Sequence, residues 1–328
     1  MTEHATRTLA ASLAFLLGWA LSAAAADLAV VNTNDSGAGS LREAILTANG
    51  NSEPDTITIA ATGVLTPQTA LPALTEDQNA LTVDGGPFTI DGTDLGELGV
   101  GLAIGSNANA VDGLTFINCA VAGVAVLGND NLVENCVSGL TVVGLSAPNA
   151  AGILLGGARN TVRNCVASAN SIAGIAVQGA SAEGNILEGN IVGLSASTVT
   201  SLGNGGAGIV VSAGASDTRI GRADGTGGNT ITANAGSGIE LQEVDGTEIY
   251  GNDIGLKTNG IVVAGNQGFG VAVVGGSGTI LGAVGDGGNR IQGHDTDVYV
   301  PLGGEVVIVN NEIGANGFPA TFGVWFNG

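Results

Sequence analysis

Gly123-Val124-Ala125-Val126 is the first copy of a phrase, glycine, aliphatic, any residue, aliphatic, that returns along the rest of the chain. Further copies are Gly152-Ile153-Leu154-Leu155, Gly174-Ile175-Ala176-Val177, Gly208-Ile209-Val210-Val211, Gly238-Ile239-Glu240-Leu241 and Gly270-Val271-Ala272-Val273, and looser ones are Asp297-Val298-Tyr299-Val300 and Gly323-Val324-Trp325-Phe326. Successive copies lie 29, 22, 34, 30, 32, 27 and 26 residues apart. Such steps are too short for domains and are typical of single turns of a solenoid.

The aliphatic residues of each copy alternate with other residues, which is the period of a β-strand. A second short strand and a bend rich in Asn and Gly follow, as in residues 185–191 and 248–254. Such bends need positive φ, which Gly adopts freely and Asn tolerates. Each coil is therefore predicted to contain two or three short strands. Roughly eight coils, stacked in parallel at about 4.8 Å, would form a rod about 40 Å long.

The segment 40–49 has the pattern of a short helix. Ser40 is at an N-cap position with Glu43 three residues on, which predicts a capping box. Four apolar residues fall on one helical face: Leu41, Ala44, Ile45 and Ala48. We expect this amphipathic helix to cover the first coil.

Residues 32–49, Asn-Thr-Asn-Asp-Ser-Gly-Ala-Gly-Ser-Leu-Arg-Glu-Ala-Ile-Leu-Thr-Ala-Asn, also carry a family resemblance. With Pro54-Asp55-Thr56-Ile57 and Thr89-Ile90-Asp91-Gly92-Thr93, they resemble the opening of bacterial exported right-handed parallel β-helix repeat proteins with a CSLREA-type N-terminal region. Gly39 occupies the position of the Cys in the CSLREA motif. The resemblance covers about 27–328 and implies an all-β, right-handed parallel β-helix with a short N-terminal capping helix. It implies no catalytic residue, because the family is functionally heterogeneous.

The N-terminus has the features of an export signal. An apolar run from Leu9 to Leu21 leads into Ser22 and four alanines, small residues that suit a signal peptidase. We predict a signal peptide at 1–26, cleaved within Ala23–Ala26, then an N-terminal cap and first coils at 27–100 and β-helix repeats at 101–328. A retained anchor is the alternative, but the run is short for a membrane span. The expected location is secreted or at the cell surface, with the periplasm as the alternative, and no membrane span is expected after cleavage.

The charge limits the partners. Eight Lys and Arg against 29 Asp and Glu give a net charge of −21. This charge repels polyanions, so binding to nucleic acid or to an anionic bilayer is not expected. Cations are better candidates, although the acidity can also serve solubility alone.

The three cysteines, Cys119, Cys136 and Cys165, are odd in number and therefore cannot form a complete disulfide framework in an exported protein. Their spacing matches no metal-ligand pattern. Each follows an Asn in a similar phrase, so we expect a buried stack of small hydrophobic residues. A disulfide between two neighbouring coils stays open.

A catalytic site on this fold would need carboxylates that converge, alone or beside a basic residue. None of the basic residues of the mature chain lies beside an acidic cluster in the sequence except Arg222 near Asp224, and that stretch is a Gly-rich corner. Two acidic clusters are candidates for a Ca²⁺ site or a glycosidase pair; they comprise Glu240, Glu243, Asp245, Glu248 and Asp253, and His294, Asp295 and Asp297. Solvated corners that keep the rod soluble are the favoured interpretation. We therefore expect no cofactor, with Ca²⁺ as the alternative.

The middle residue of each repeated phrase should point outward, because its aliphatic neighbours point inward. These residues form the column Ala125, Leu154, Ala176, Val210, Glu240, Ala272, Tyr299 and Trp325. We interpret the column as a docking face for a glycan or a surface protein, with Tyr299 and Trp325 as stacking anchors beside Leu154 and Val210. Two alternatives are that loops cover it and that small residues simply suit a flat sheet.

The stretch from Phe318 to Phe326 is the most aromatic and has no visible capping helix, so its aromatic residues plug the last coil or another subunit covers it. The second case predicts self-association at the C-terminal end. The sequence favours a non-enzymatic exported scaffold or adhesin-like binding protein. The alternative is a polysaccharide lyase or glycoside hydrolase on the same fold, and fold alone does not decide between them.

Overall fold

The computed structural model describes residues 25–197, 200–257, 264–301, 303–314 and 322–326. The predicted export signal lies outside these residues except for Ala25 and Ala26, and so do residues 318–321 of the aromatic stretch. Within the described ranges, no helix has the length and apolar character needed to cross a membrane.

Three parallel sheets run along the described part of the chain. Sheet A has the strands Asp27–Val30, Thr56–Ile59, Ala80–Val83, Ala110–Asp112, Leu132–Glu134, Thr161–Arg163, Ile186–Glu188, Arg219–Gly221, Glu248–Tyr250, Thr279–Leu281 and Val306–Ile308. Sheet B has the strands Gly63–Leu65, Phe88–Asp91, Leu114–Ile117, Val137–Ser138, Val166–Ala167, Ile191–Val192, Thr230–Ile231, Asp253–Ile254, Arg290–Ile291 and Glu312–Ile313. Sheet C has the strands Val100–Ile104, Ala122–Val126, Ala151–Leu155, Ala173–Gln178, Ile209–Ser212, Ile239–Gln242, Val271–Val274, Thr296–Val300 and Phe322–Phe326.

Each regular coil contributes one strand to every sheet, and each strand pairs with the equivalent strands of the coils before and after it. Ile209–Ser212, for example, pairs with Ala173–Gln178 and with Ile239–Gln242. The predicted right-handed parallel β-helix is therefore confirmed. The expected number of roughly eight coils was too low, because sheet A alone has eleven described strands and spans about 48 Å. The count was too low because it started at Gly123 and did not include the coils that precede that residue.

The repeated phrase builds the core in the predicted way. Ile209 and Val211 point inward and are fully buried, whereas Val210 between them is only partly buried. The pairing of sheet C aligns equivalent residues of all copies, from Val124 to Val324. The interior is thus a stack of similar aliphatic layers.

In the copies from Gly123 to Gly270, the glycine that opens the phrase is required by a close approach. A Cβ on Gly208 would lie 2.7 Å from Nδ2 of Asn234 and 2.8 Å from the carbonyl oxygen of Gly238. Asn234 fills this space from the corner of the next coil. Glycine therefore leaves room for a buried side chain.

Buried asparagines form columns at the three corners. One column is Asn79, Asn109, Asn131, Asn160 and Asn185; a second is Asn149, Asn170, Asn204, Asn234 and Asn266; a third is Asn190, Asn229, Asn252, Asn289 and Asn311. Along most of each column, Oδ1 accepts from the backbone N–H of the preceding coil and Nδ2 donates to a backbone carbonyl. The sequence predicted these residues only as bends, whereas the structure shows continuous ladders inside the rod.

The first column changes from asparagine to threonine after Asn185. The next residues in register are Thr218, Thr247 and Thr279, all fully buried. None of their Oγ1 atoms has a hydrogen-bond partner. A buried hydroxyl without a partner costs about 1 to 3 kcal/mol.

Replacing Thr218, Thr247 or Thr279 with valine should therefore raise the free energy of unfolding by about 1 kcal/mol each. Valine has nearly the same shape and removes the unpaired hydroxyl. Thr232→Val is the matched control and should destabilise the protein, because the buried Oγ1 of Thr232 donates to the carbonyl oxygen of Ala264. Denaturant unfolding measures both effects. Lower stability of the Thr218, Thr247 and Thr279 variants would contradict the prediction.

The predicted helix spans Leu41–Ala48 and packs against the first two strands of sheet A. Oγ of Ser40 accepts the backbone N–H of Glu43 at 3.2 Å, as predicted, while the N–H of Ser40 donates to the carbonyl oxygen of Gly37. The four predicted apolar residues are buried. The helix therefore covers the first coil.

Coils of different length have the same cross-section because the extra residues of a longer coil form a hairpin at a corner. Leu140 and Ser146 form an antiparallel bridge that closes one such hairpin, and Leu194 and Ser201 close another. Both hairpins follow a strand of sheet B. The three sheets keep their register on either side.

The three cysteines are free and buried. Cys136 and Cys165 lie on successive coils of one column, the column that Asn190 continues. Cys119 lies at another corner, where its N–H donates to Oδ1 of Asn149. The expected stack of three was therefore wrong for Cys119, because similar Asn-Cys turns occur at two different corners.

Candidate binding face

The outward column of sheet C is aligned as the sequence predicted. From Ala103 at one end to Trp325 at the other, its pairs are Ala103 with Ala125, Ala125 with Leu154, Leu154 with Ala176, Ala176 with Val210, Val210 with Glu240, Glu240 with Ala272, Ala272 with Tyr299, and Tyr299 with Trp325. We call this column and its flanking outward residues the sheet C face. The column itself is apolar except for Glu240.

Side chains of unequal size follow one another along the sheet C face. Its small members Ala125, Ala176 and Ala272 are buried, whereas the larger Leu154 and Val210 are half-buried. Ala176 lies between Leu154 and Val210 on adjacent coils. The larger side chains therefore remain accessible.

Three aromatic rings form a ladder at one end of the face. The rings of Phe269 and Tyr299 are stacked with centroids 4.3 Å apart, and those of Tyr299 and Trp325 are tilted with centroids 5.1 Å apart. Trp325 is 40% exposed. Phe269 precedes the strand Val271–Val274 and covers part of Tyr299. A loop residue therefore contributes to the face at this point.

A groove lies on the same sheet, two coils from this ladder. The groove has a volume of about 480 Å³ and is lined by Ser212, Ala213, Glu240, Gln242, Glu243 and Val274. Nε2 of Gln242 donates to Oε1 of Glu240 at 2.7 Å. Glu240 and Tyr299 belong to the same column, with the buried Ala272 between them. We call the groove, Ala272 and the rings together the strip.

The predicted acidic cluster from 240 to 253 is spread over the rod. Glu240 lies on sheet C, Glu248 on sheet A and Asp253 on sheet B, while Asp245 lies at an exposed corner. The structure brings Glu240 and Glu243 together at the groove but separates them from the others. Hydrogen bonds from Ser277 keep the pKa of Asp245 below its usual value, which disfavours a role as general acid.

Arginines lie beside carboxylates in space even where the sequence separates them. Arg290 forms two hydrogen bonds with Asp253, at 2.6 and 2.5 Å, across neighbouring coils of sheet B. Arg163 pairs with Glu134 at 2.7 Å on sheet A. The expectation that Arg222 is the one basic residue next to carboxylates was therefore wrong. The reason is that stacking brings residues about one coil apart into contact.

The predicted cluster at 294–297 divides between the core and the surface. His294 and Asp297 are buried and form a pair with Nδ1 and Oδ1 2.8 Å apart, whereas Asp295 is exposed. Asn266 aims Nδ2 at Nε2 of His294, at 3.0 Å, because its Oδ1 already accepts from Asn234. Nε2 must then accept and Nδ1 must carry the proton. Asp297 thus bonds to His294 inside the rod, where no substrate can reach it.

The residues of the two predicted acidic clusters thus lie on different sheets, at corners and in the core. Among the described residues, no group of three or more His, Cys, Asp or Glu side chains is placed to hold a metal ion. The sheet C face instead offers aromatic rings, aliphatic side chains and one carboxylate–amide pair. Such a surface can pack against apolar faces of a ligand and exchange hydrogen bonds with its hydroxyl groups.

Sequence reasoning missed Phe269 and Gln242 as members of this site. Phe269 occupies a position that is Ala or Ser in the preceding coils, so the unusual size of the residue was a signal. Gln242 lies two residues after Glu240 on the same strand, and period-2 spacing places both side chains on the same side.

A family model described as right-handed beta helix region matches residues 76–281. Similar solved structures include pectate lyase Pel9A, with 13% identity, 87% of this chain and 78% of that chain covered, and a TM-score of 0.42. The Dettilon tailspike protein gp208 has 14% identity, coverage of 85% and 66%, and a TM-score of 0.38. PfbA, a surface adhesin of Streptococcus pneumoniae, has 10% identity, coverage of 87% and 85%, and a TM-score of 0.38. No curated protein sequence matches the chain.

Proposed function

The chain belongs to the right-handed β-helix family, and from that premise we propose that it is an exported, non-enzymatic scaffold that binds a neutral linear glycan along its sheet C face. The observation that carries this proposal is the strip, in which the aromatic ladder and the groove lie two coils apart on one column of sheet C. The strip runs along the axis of the rod over successive coils. A ligand that fits it is long, narrow and partly apolar.

A glycan chain matches these properties. The C–H faces of a pyranose ring are apolar and pack against aromatic and aliphatic side chains, while its hydroxyl groups bond to carboxylates and amides. Tyr299 and Trp325 supply the first kind of contact, and Glu240 with Gln242 supplies the second. Coils repeat about every 4.8 Å, which is close to the length of one sugar unit. Leu154 and Val210 would extend the contact toward the N-terminal end.

The charge of the protein favours a neutral glycan. A net charge of −21 repels polysaccharides rich in uronic acids or sulfate. The dispersed carboxylates support binding without cleavage, because hydrolysis needs two carboxylates on either side of one glycosidic bond. Glu240 and Glu243 share the groove, and the test below includes cleavage as an outcome.

Export is part of the proposal and rests on the N-terminal sequence. The apolar run and alanines up to Ala26 support a signal peptide, and residues 32–49 support membership of the CSLREA-type group of exported proteins. A surface or secreted location would give the face access to extracellular glycans. Adhesion to a glycan-bearing surface is the corresponding role.

The double variant Tyr299→Ser, Trp325→Ser should bind neutral glycans about tenfold more weakly or worse, because it removes the exposed parts of the ladder against which sugar rings would pack, and a loss of about 1.4 kcal/mol is tenfold in affinity. The probes are soluble linear neutral glucans, mannans and xylans, with polygalacturonate as the charged comparison. Affinity electrophoresis and calorimetry measure the binding, and an assay of reducing ends measures cleavage.

Val307→Ser is the matched control, since Val307 is 58% exposed on sheet A. It should leave binding unchanged. Equal binding by the double variant and the unchanged protein would exclude the aromatic ladder as the site. Tight binding of polygalacturonate would refute the preference for neutral chains, and release of reducing ends would replace the scaffold with an enzyme.

A further inference from the structure

Cys136 and Cys165 face each other inside the rod on successive coils. The residues that follow them, Val137 and Val166, are directly paired. Neighbouring strands are about 4.8 Å apart, which lies within the range of about 4.4 to 6.8 Å between the Cα atoms of a disulfide. Both side chains are buried, and each follows the same turn of its coil. We propose that this pair is an oxidative cross-linking site whose disulfide ties two coils together.

The reduced pair is a weak point in its column. Farther along, each Asn accepts a backbone N–H and donates Nδ2 to a carbonyl at about 2.9 Å. Sγ of Cys165 lies 3.5 Å from the carbonyl oxygen of Val133, and Sγ of Cys136 lies 3.9 Å from that of Val111. Thiols are weak donors and acceptors. A covalent bond would replace the missing amide ladder between these two coils.

The third cysteine is excluded from the pair by its position. Cys119 lies at the corner of the Asn149 column, and its Sγ contacts the carbonyl oxygen of Ile117 at 3.4 Å. Burial raises the pKa of its thiol to about 12. The geometry therefore selects one of the three pairings that the sequence allows.

The reaction is a thiol–disulfide exchange with a small disulfide such as oxidised glutathione. One cysteine thiolate attacks a sulfur of the oxidant and releases one glutathione thiolate, which leaves a mixed disulfide. The second cysteine then displaces the other glutathione and forms the S–S bond. The protein loses two thiol protons and two electrons, and the oxidant is reduced to two glutathione thiols.

Burial controls when this reaction proceeds. It raises the pKa of the Cys165 thiol well above its ordinary value, so little of the reactive thiolate exists in the folded rod. Exchange is therefore slow after the coils have closed and faster while the chain is still folding. A chain that folds in an oxidising compartment would meet the oxidant before its coils close.

The test is refolding of the full chain from denaturant with and without a mixture of oxidised and reduced glutathione. Free thiols in the monomeric product are alkylated under denaturing conditions, and peptides are mapped by mass spectrometry. We expect a Cys136–Cys165 linked peptide, alkylated Cys119 and a midpoint of thermal unfolding raised by about a few degrees. A reductant should remove both the link and the rise.

Cys119→Ser should form the same link, and Cys136→Ser should leave two alkylated thiols. Three alkylated thiols, a glutathione adduct or a link through Cys119 in the oxidised monomer would overturn the proposal. If refolding fails, the native protein can be incubated with diamide at increasing pH. The loss of thiols should then accelerate with pH and stop at one free thiol for each chain, and any other end point would count against the pair.

Discussion

Replacing Asn229 with alanine should lower the free energy of unfolding by about 3 kcal/mol or more. Its side chain accepts the backbone N–H and Nδ2 of Asn190 and donates to Leu187 and Asn252, at 2.8 to 2.9 Å. Alanine would leave the N–H of Asn190 and the carbonyl of Leu187 buried without these partners. The loss falls in the middle of the column, where no solvent can replace it. Chemical denaturation monitored by circular dichroism measures the effect.

Two further variants test whether the loss of stability is specific to the ladder of hydrogen bonds. Asn229→Cys should have an intermediate effect, because a thiol can donate weakly to Leu187 but cannot replace the amide acceptor. Gln267→Ala, at an exposed amide, should change stability by less than about 0.5 kcal/mol. A loss of less than 1 kcal/mol for Asn229→Ala would show that the ladder is not a main source of stability.

Gly208→Ala should destabilise the protein by about 3 kcal/mol, although alanine is usually the better residue in regular structure. The new methyl group would lie 2.7 Å from both Nδ2 of Asn234 and Cγ2 of Ile231. Neither neighbour can retreat, because both are fully buried. The strand would have to move out of its layer, which weakens pairing on both sides. The unfolding midpoint in denaturant is the appropriate measurement.

Gly105→Ala is the matched control for this substitution. Gly105 directly follows a strand of sheet C, and a Cβ there would meet nothing closer than the carbonyl oxygen of Leu74, at 3.6 Å. The control should be neutral or raise the free energy of unfolding by about 0.4 to 1 kcal/mol. Equal effects of the two substitutions would mean that backbone freedom, and not the contact with Asn234, explains the glycine.

The sheet C face could be predicted because its signal is local. Each copy of the phrase has the same four positions, so aligning the glycines also aligns Val210 with Glu240, as the structure confirms. The asparagine columns could not be assigned in this way. Asn229 is 39 residues from one neighbour in its column and 23 from the other, so only the three-dimensional register identifies them.

The acidic residues show a second limit of the linear sequence. One coil turns through all three sides of the rod, so Glu240, Glu248 and Asp253 are close in sequence but lie on different sheets. Conversely, Arg163 and Glu134 are 29 residues apart and form an ion pair. Proximity along a solenoid is set by the length of a coil, which varies here. The docking role of Tyr299 and Trp325 stays a prediction.

The corner hairpins have an evolutionary consequence. Because the bridge between Leu140 and Ser146 closes its loop at the rod, the residues between them can change in number without disturbing the layers beneath. Three of these residues, Val142, Val143 and Leu145, are already exposed and outside the core. Insertions at this site should be tolerated, so new loops can diversify in a lineage while the underlying architecture is inherited unchanged.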